Sequence, residues 1–126
     1  MFIMNKRLSD AELDIMLAVW SSDQPVSAST ILAELKGKRE WALSALMTAL
    51  SRLIKKGFLR CEKQGRNNLY YFIVDEDEYK QAEGKSILER LYGNSFKNLA
   101  VALYNSKAIS EKDIAELKSI IEDIKE

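Results

Sequence analysis

The 126-residue chain has no histidine, one cysteine, one proline and five glycines, and each scarcity removes a class of chemistry. Without histidine, the ordinary Cys/His zinc sites and the histidine-based pairs of nucleophile and base cannot be assembled. The few glycines are scattered, so no glycine-rich loop cradles a phosphate. These absences point away from an enzyme and from any metal or other cofactor. The lone Cys61 cannot form an internal disulfide, and its place in a predicted strand suggests a small buried hydrophobe. No apolar run approaches the roughly 18 residues that span a bilayer. The opening Met1-Phe2-Ile3-Met4 has its charges, Lys6 and Arg7, on the wrong side for a signal peptide. A cytoplasmic protein with no membrane insertion is expected.

What the chain does have is charge, unevenly placed. Its overall net charge is +0, yet residues 36–66 carry nine Lys/Arg (Lys36, Lys38, Arg39, Arg52, Lys55, Lys56, Arg60, Lys63, Arg66) against Glu40 and Glu62, a local net of +7. A cationic face of that density seeks a polyanion. Residues 1–74 total +4 and residues 75–126 total −4, and the sign changes at Asp75-Glu76-Asp77-Glu78, just after the apolar strand Leu69 to Val74. A boundary there divides the chain into a basic domain, 1–74, and an acidic region, 75–126.

In the basic half, Ser9-Asp10-Ala11-Glu12 forms a capping box and starts a helix whose Leu13, Met16, Leu17 and Trp20 share a face. Asp23-Gln24-Pro25 ends it. Ser27 caps a second helix presenting Ile31, Leu32 and Leu35, which stops by Gly37. The third helix, 42–56, gathers Leu43, Leu46, Leu50, Leu53 and Ile54 on one side and Trp41, Ser44, Ala45, Thr48, Arg52, Lys55 and Lys56 on the other. Its polar side is short-chained at the start, where a backbone can approach base edges, and cationic at the end, where phosphates lie. Two strands then flank a turn at 64–68, with Arg66 at its tip. Trp41, Ser44, Ala45, Met47, Thr48, Arg52, Lys55 and Arg66 are the candidate DNA-contacting residues. Trp20 is expected inside and Trp41 on the exposed side.

Several of these segments are shared with a known family. Leu8-Ser9-Asp10-Ala11-Glu12-Leu13 with Met16 and Val19-Trp20, then Trp41, then Arg52-Leu53-Ile54-Lys55-Lys56-Gly57, then Gly65-Arg66 with Tyr70, resemble the penicillinase-repressor (BlaI/MecI) family of winged-helix regulators. The resemblance runs along nearly the whole chain. It implies a winged helix-turn-helix domain, mainly α with a small β-hairpin wing, followed by a C-terminal helical dimerisation region. It also implies a homodimeric transcriptional repressor reading an inverted-repeat operator. Ser44, Ala45 and Met47 stand where family members carry longer polar side chains, so Ala45 and Met47 offer only apolar contacts, for instance to a thymine methyl. The C-terminal cysteine cluster of the copper-responsive branch has no counterpart in residues 120–126. The Asn-Phe bond cleaved in antibiotic-responsive members corresponds to Ala102-Leu103. The resemblance therefore implies no regulatory protease or sensor partner acting at that bond.

The acidic half predicts three helices. Asp75 with Glu78 starts the first, which ends at Gly93; Asn94 caps the second; Ser110 with Asp113 starts the third. Leu88, Leu91, Phe96, Leu99, Leu103, Ile114, Leu117, Ile121 and Ile124 supply apolar stripes for pairing with a second copy. The alternative is a winged-helix interaction module that turns its basic face to an acidic protein and never binds DNA.

Overall fold

The structure, a computed structural model, describes residues 7–125; the opening segment on which the signal-peptide reading rests lies outside them. Two compact units meet between Glu83 and Gly84.

The first unit begins with α1 (Asp10–Trp20). The Ser9 hydroxyl accepts the Glu12 backbone N–H at 3.2 Å, and the Ser9 N–H donates to Glu12 Oε1 at 2.9 Å, so the predicted capping box is present. The buried face differs from the expected one. Ile15, Met16, Ala18 and Val19 face the core, Leu13 and Trp20 are half-buried, and Leu17 is exposed. The last two turns of α1 are apolar nearly all round, so spacing admits several stripes and only the surrounding elements choose between them. Trp20 is held at the edge by its indole N–H, which donates to the Val74 carbonyl at 2.9 Å.

A two-residue strand, β1 (Val26–Ser27), follows and was not expected. It is too short for alternation to mark it, and pairing across the fold creates it. Ser27 also caps α2 (Ala28–Leu35), accepting the Thr30 N–H at 3.2 Å, and Ile31 and Leu35 are buried. Next come α3 (Leu43–Lys55), β2 (Leu59–Gln64) and β3 (Asn67–Phe72). The sheet is antiparallel in the order β1-β3-β2. Its hairpin is tighter than the predicted turn at 64–68, because Gln64 still pairs with Asn67 and only Gly65 and Arg66 make the loop. Gly65 sits at φ +65, the left-handed conformation that such two-residue turns demand. Phe58, expected within a strand, precedes β2 and fills the core with Leu46, Leu50, Leu53 and Leu59.

The boundary expected between residues 74 and 75 falls instead inside α4 (Glu76–Tyr92). Its first turns are acidic and largely exposed, which made them look like a join, but Tyr79 is buried at 4% exposure. The Tyr79 ring meets Phe58 edge-on at 5.7 Å and Trp20 at 6.0 Å between centroids, and its hydroxyl accepts the Leu8 N–H at 3.2 Å. One aromatic side chain thus fastens the start of α4 to the first unit.

The second unit contains the rest of α4, α5 (Phe96–Asn105) and α6 (Glu111–Lys125). Ser95, not Asn94, caps α5, accepting the Asn98 N–H at 3.1 Å; Asn94 follows Gly93 in a left-handed conformation, φ 67, and cannot cap from there. The Ser110 and Asp113 bonds that start α6 are reciprocal, at 2.8 and 3.2 Å. Ala102-Leu103 lies inside α5.

A charged pair ties two helices of the first unit together. Lys56 Nζ donates to Glu12 Oε1 at 2.6 Å, tying the start of α1 to the end of α3. Burial raises the Glu12 pKa, but the hydrogen bonds from Lys56 and Ser9 outweigh it and hold the carboxyl below its ordinary value. A group with a lowered folded-state pKa contributes stability above its unfolded value and loses it as pH falls through the folded one. Glu12→Gln should therefore cost about 1–3 kcal/mol at neutral pH. Thermal unfolding of parent and variant should show this gap closing on acidification below the ordinary carboxylate range; a constant gap would contradict the assignment.

Candidate nucleic-acid interface

On α3, Leu46, Leu50 and Leu53 are fully buried and Ala49 nearly so. Leu43 and Ile54, expected on that face, are 54% and 37% exposed. At about 100° per residue they stand about 60° and 80° to one side of Leu46, whereas Ala49 stands about 60° to the other. The buried arc is centred toward Ala49, whose small side chain admits close packing. The opposite face presents Ser44, Ala45, Thr48, Arg52 and Lys55 to solvent. The Thr48 hydroxyl donates to the Ser44 carbonyl at 3.1 Å, leaving its lone pairs and methyl outward.

Two predicted contact residues are less free than expected. Trp41 precedes the helix rather than opening it, is half-buried, and has a buried indole N–H with no hydrogen-bond partner among the described residues. Met47 is half-buried, and its sulfur accepts from the Tyr70 hydroxyl at 3.9 Å. Burial, with Cys61 as its neighbour, pushes the Tyr70 phenol up.

The structure brings Trp41, Ala45, Thr48 and Arg52 onto one cleft of about 330 Å³, together with Ser9, Ala11 and Glu12 from the start of α1. Arg52, Lys55 and Lys56 line a second opening of about 430 Å³ beside Ser9 and Glu12. Sequence reasoning used the capping box only to begin a helix. Its second meaning, a helix N-terminus lying against the third helix, needed the Glu12–Lys56 pair to become visible.

Charge pairing sorts the nine cations. Arg39 bonds Asp14 at 3.0 Å, Lys56 bonds Glu12, and Arg60 pairs with Glu62 while its guanidinium lies 3.9 Å from the centroid of the Tyr71 ring. Lys36, Lys38, Arg52, Lys55, Lys63 and Arg66 are exposed and have no ion pair among the described residues. Arg66 occupies the hairpin turn. No group of three or more His, Cys, Asp or Glu among the described residues could hold a metal ion, and no described helix is long and apolar enough to cross a membrane.

The sequence matches the penicillinase repressor family over residues 8–123. The chain belongs to this family. It is 31% identical over 119 residues to the penicillinase repressor of Bacillus licheniformis, covering 94% of this chain and 92% of that one. To the methicillin resistance regulatory protein MecI of Mammaliicoccus sciuri it is 29% identical over 114 residues, covering 90% and 92%. Among solved structures, the DNA binding domain of the repressor BlaI superposes with a TM-score of 0.51 at 36% identity, covering 58% of this chain and 88% of that domain. The first unit is accordingly the winged helix that the family resemblance implied, and the family match extends through the second.

Cys61 is exposed rather than buried. It lies on the edge strand β2, whose residues beyond Leu59 project past the core. One thiol per chain should therefore react with an aromatic disulfide reagent in the folded state. Reaction only after denaturation would place the side chain inside.

Proposed function

We propose that this penicillinase repressor family member is a homodimeric transcriptional repressor that binds duplex DNA through the exposed face of α3 and the hairpin turn. The observation that carries the reading is the sorting of cations. Those without an acidic partner lie on the outer edge of α3 (Arg52, Lys55), on the hairpin (Lys63, Arg66) and in the α2–α3 connection (Lys36, Lys38), while the α3 face between them carries the short side chains Ser44, Ala45 and Thr48. Unpaired cations neutralise phosphates and set the register; short side chains let a helix enter the major groove far enough to read base edges. Ala45 and the Thr48 methyl suit a thymine methyl, and Arg52 suits a guanine edge or a phosphate. The names of the relatives, a penicillinase repressor and a methicillin resistance regulatory protein, both matched over nearly their whole length, support the same reading.

The dimer is supported by what one chain leaves uncovered. No residue of α5 or α6 is buried, and Leu91, Phe96, Ile114, Ile121 and Ile124 are 72%, 52%, 42%, 40% and 76% exposed. A helical unit of this size rarely supports a private core. A second copy, with Leu88, Leu99, Leu103 and Leu117 in the same stripes, would cover those faces, and two-fold symmetry matches an inverted repeat. Tethering two winged domains makes the second half-site contact intramolecular, raising affinity by about 10²–10⁴.

Arg52→Ala should weaken operator binding by about 1–3 kcal/mol per half-site. Arg66→Ala should weaken binding to many sequences and lower the salt slope by about one per subunit. Gel shifts across a salt titration measure both. Binding that does not respond to salt would instead favour an acidic protein partner.

A chain ending at Ala102 should keep the winged unit folded, sediment as a monomer and lose about 10²–10⁴ in operator affinity. A dimer of undiminished affinity would remove α6 from the dimer contact.

A further inference from the structure

We propose that the cleft between the start of α1 and the outer face of α3 binds a small aromatic carboxylate, which competes there with DNA. Trp41, Ala45, Thr48, Ala49 and Arg52 line it beside Ser9, Ala11 and Glu12. Its volume of about 330 Å³ falls at the lower end of the range that encloses small ligands. The lining combines two chemistries. An indole and the methyl groups of three alanines make one part apolar, and because Ala11, Ala45 and Ala49 carry nothing beyond Cβ, a planar ring has room to lie there. Trp41 also keeps a buried indole N–H with no hydrogen-bond partner among the described residues, so an occupant bearing an acceptor oxygen has a donor to satisfy.

Charge decides the sign of that occupant. Glu12 is the acid on the lining, and Lys56 Nζ at 2.6 Å already answers it. Arg52 is exposed and has no ion pair among the described residues, and Lys55, equally unpaired, stands beside it in the adjoining opening. A site with that surplus of positive charge favours an anion, and a guanidinium fork meets a carboxylate with two parallel hydrogen bonds. The opening at Asp23 and Glu34 carries the opposite sign and suits no such ligand. Ala45, Thr48 and Arg52 also belong to the face proposed above to meet base edges and phosphates, so an occupied cleft covers part of that surface. Each ligand then lowers the affinity of the other by the same factor. That competition rests on the DNA-binding reading, whereas the ligand site itself does not.

The test titrates the full chain with naphthalene-2-carboxylate, without DNA, and follows backbone amides and both indole N–H signals by NMR. The Trp41 indole and the amides of Ala45, Thr48 and Arg52 should shift together with a Kd of about 1 mM or tighter. The Trp20 indole, bonded to the Val74 carbonyl, should not move. Acetate, which lacks the ring, and naphthalene-2-methanol, which lacks the charge, should each bind about tenfold more weakly. Arg52→Gln should weaken the carboxylate about tenfold and Ala45→Leu should abolish its shifts, the rest of each spectrum showing that the variants fold. Shifts confined to other residues, equal binding of the neutral alcohol, or parent-like binding by both variants would each overturn the site. At ten times its Kd, with ionic strength matched by acetate, the carboxylate should raise the Kd for duplex DNA about elevenfold per half-site. Unchanged DNA affinity with the NMR shifts present would overturn the competition, while failure of the parent to bind duplex DNA at low salt would count against the DNA-binding reading and leave the ligand site standing.

Discussion

The first unit depends on one carboxylate. Glu12 is only 7% exposed, and a carboxylate withdrawn that far from water must be met by donors or protonate. The carboxylate accepts the Ser9 N–H, the Glu12 backbone N–H donates in return to Ser9 Oγ, and Lys56 Nζ donates to the carboxylate at 2.6 Å. The first two bonds begin α1. The third joins the start of α1 to the far end of α3, whose facing is set by the buried Leu46, Leu50 and Leu53.

From that constraint the cationic surface takes its form. Lys56 is consumed by the pair, and Arg39 and Arg60 find partners of their own, Asp14 and Glu62. The cations left over therefore border the small-residue face of α3 instead of scattering over the unit. A winged helix able to grip DNA arises here as a by-product of internal pairing: folding neutralises the cations it needs and exposes the remainder.

The second unit shows the opposite economy. Its helices carry regular apolar stripes, yet within one chain almost nothing there is buried. Such stripes support the proposed pairing with a second copy. Helix starts at Ser95 and Ser110 and a stop at Gly93 are set by local hydrogen bonding and backbone freedom, independent of what later covers the stripes.

What the sequence determined by itself was therefore local. The capping boxes at Ser9 and Ser110, the Ser27 cap, the end of α3 before Gly57, the hairpin around Gly65 and the exposure of Ser44, Ala45, Thr48, Arg52 and Arg66 all follow from bonds or periodicities a few residues long. The tertiary structure decided everything that depends on a distant neighbour. Leu17, Leu43 and Ile54 turned outward because the core accepts a narrower arc than apolar spacing allows. Cys61 came to the surface because its strand is an edge. Ser9 and Ala11 joined the cleft beside Trp41 through an ion pair 44 residues long in sequence. Tyr79 drew the start of α4 out of the acidic region and into the first unit. In each case a hydrophobic residue or a charge was legible in the sequence, but its direction was not, since burial is a property of the elements that meet and not of the one that carries the side chain.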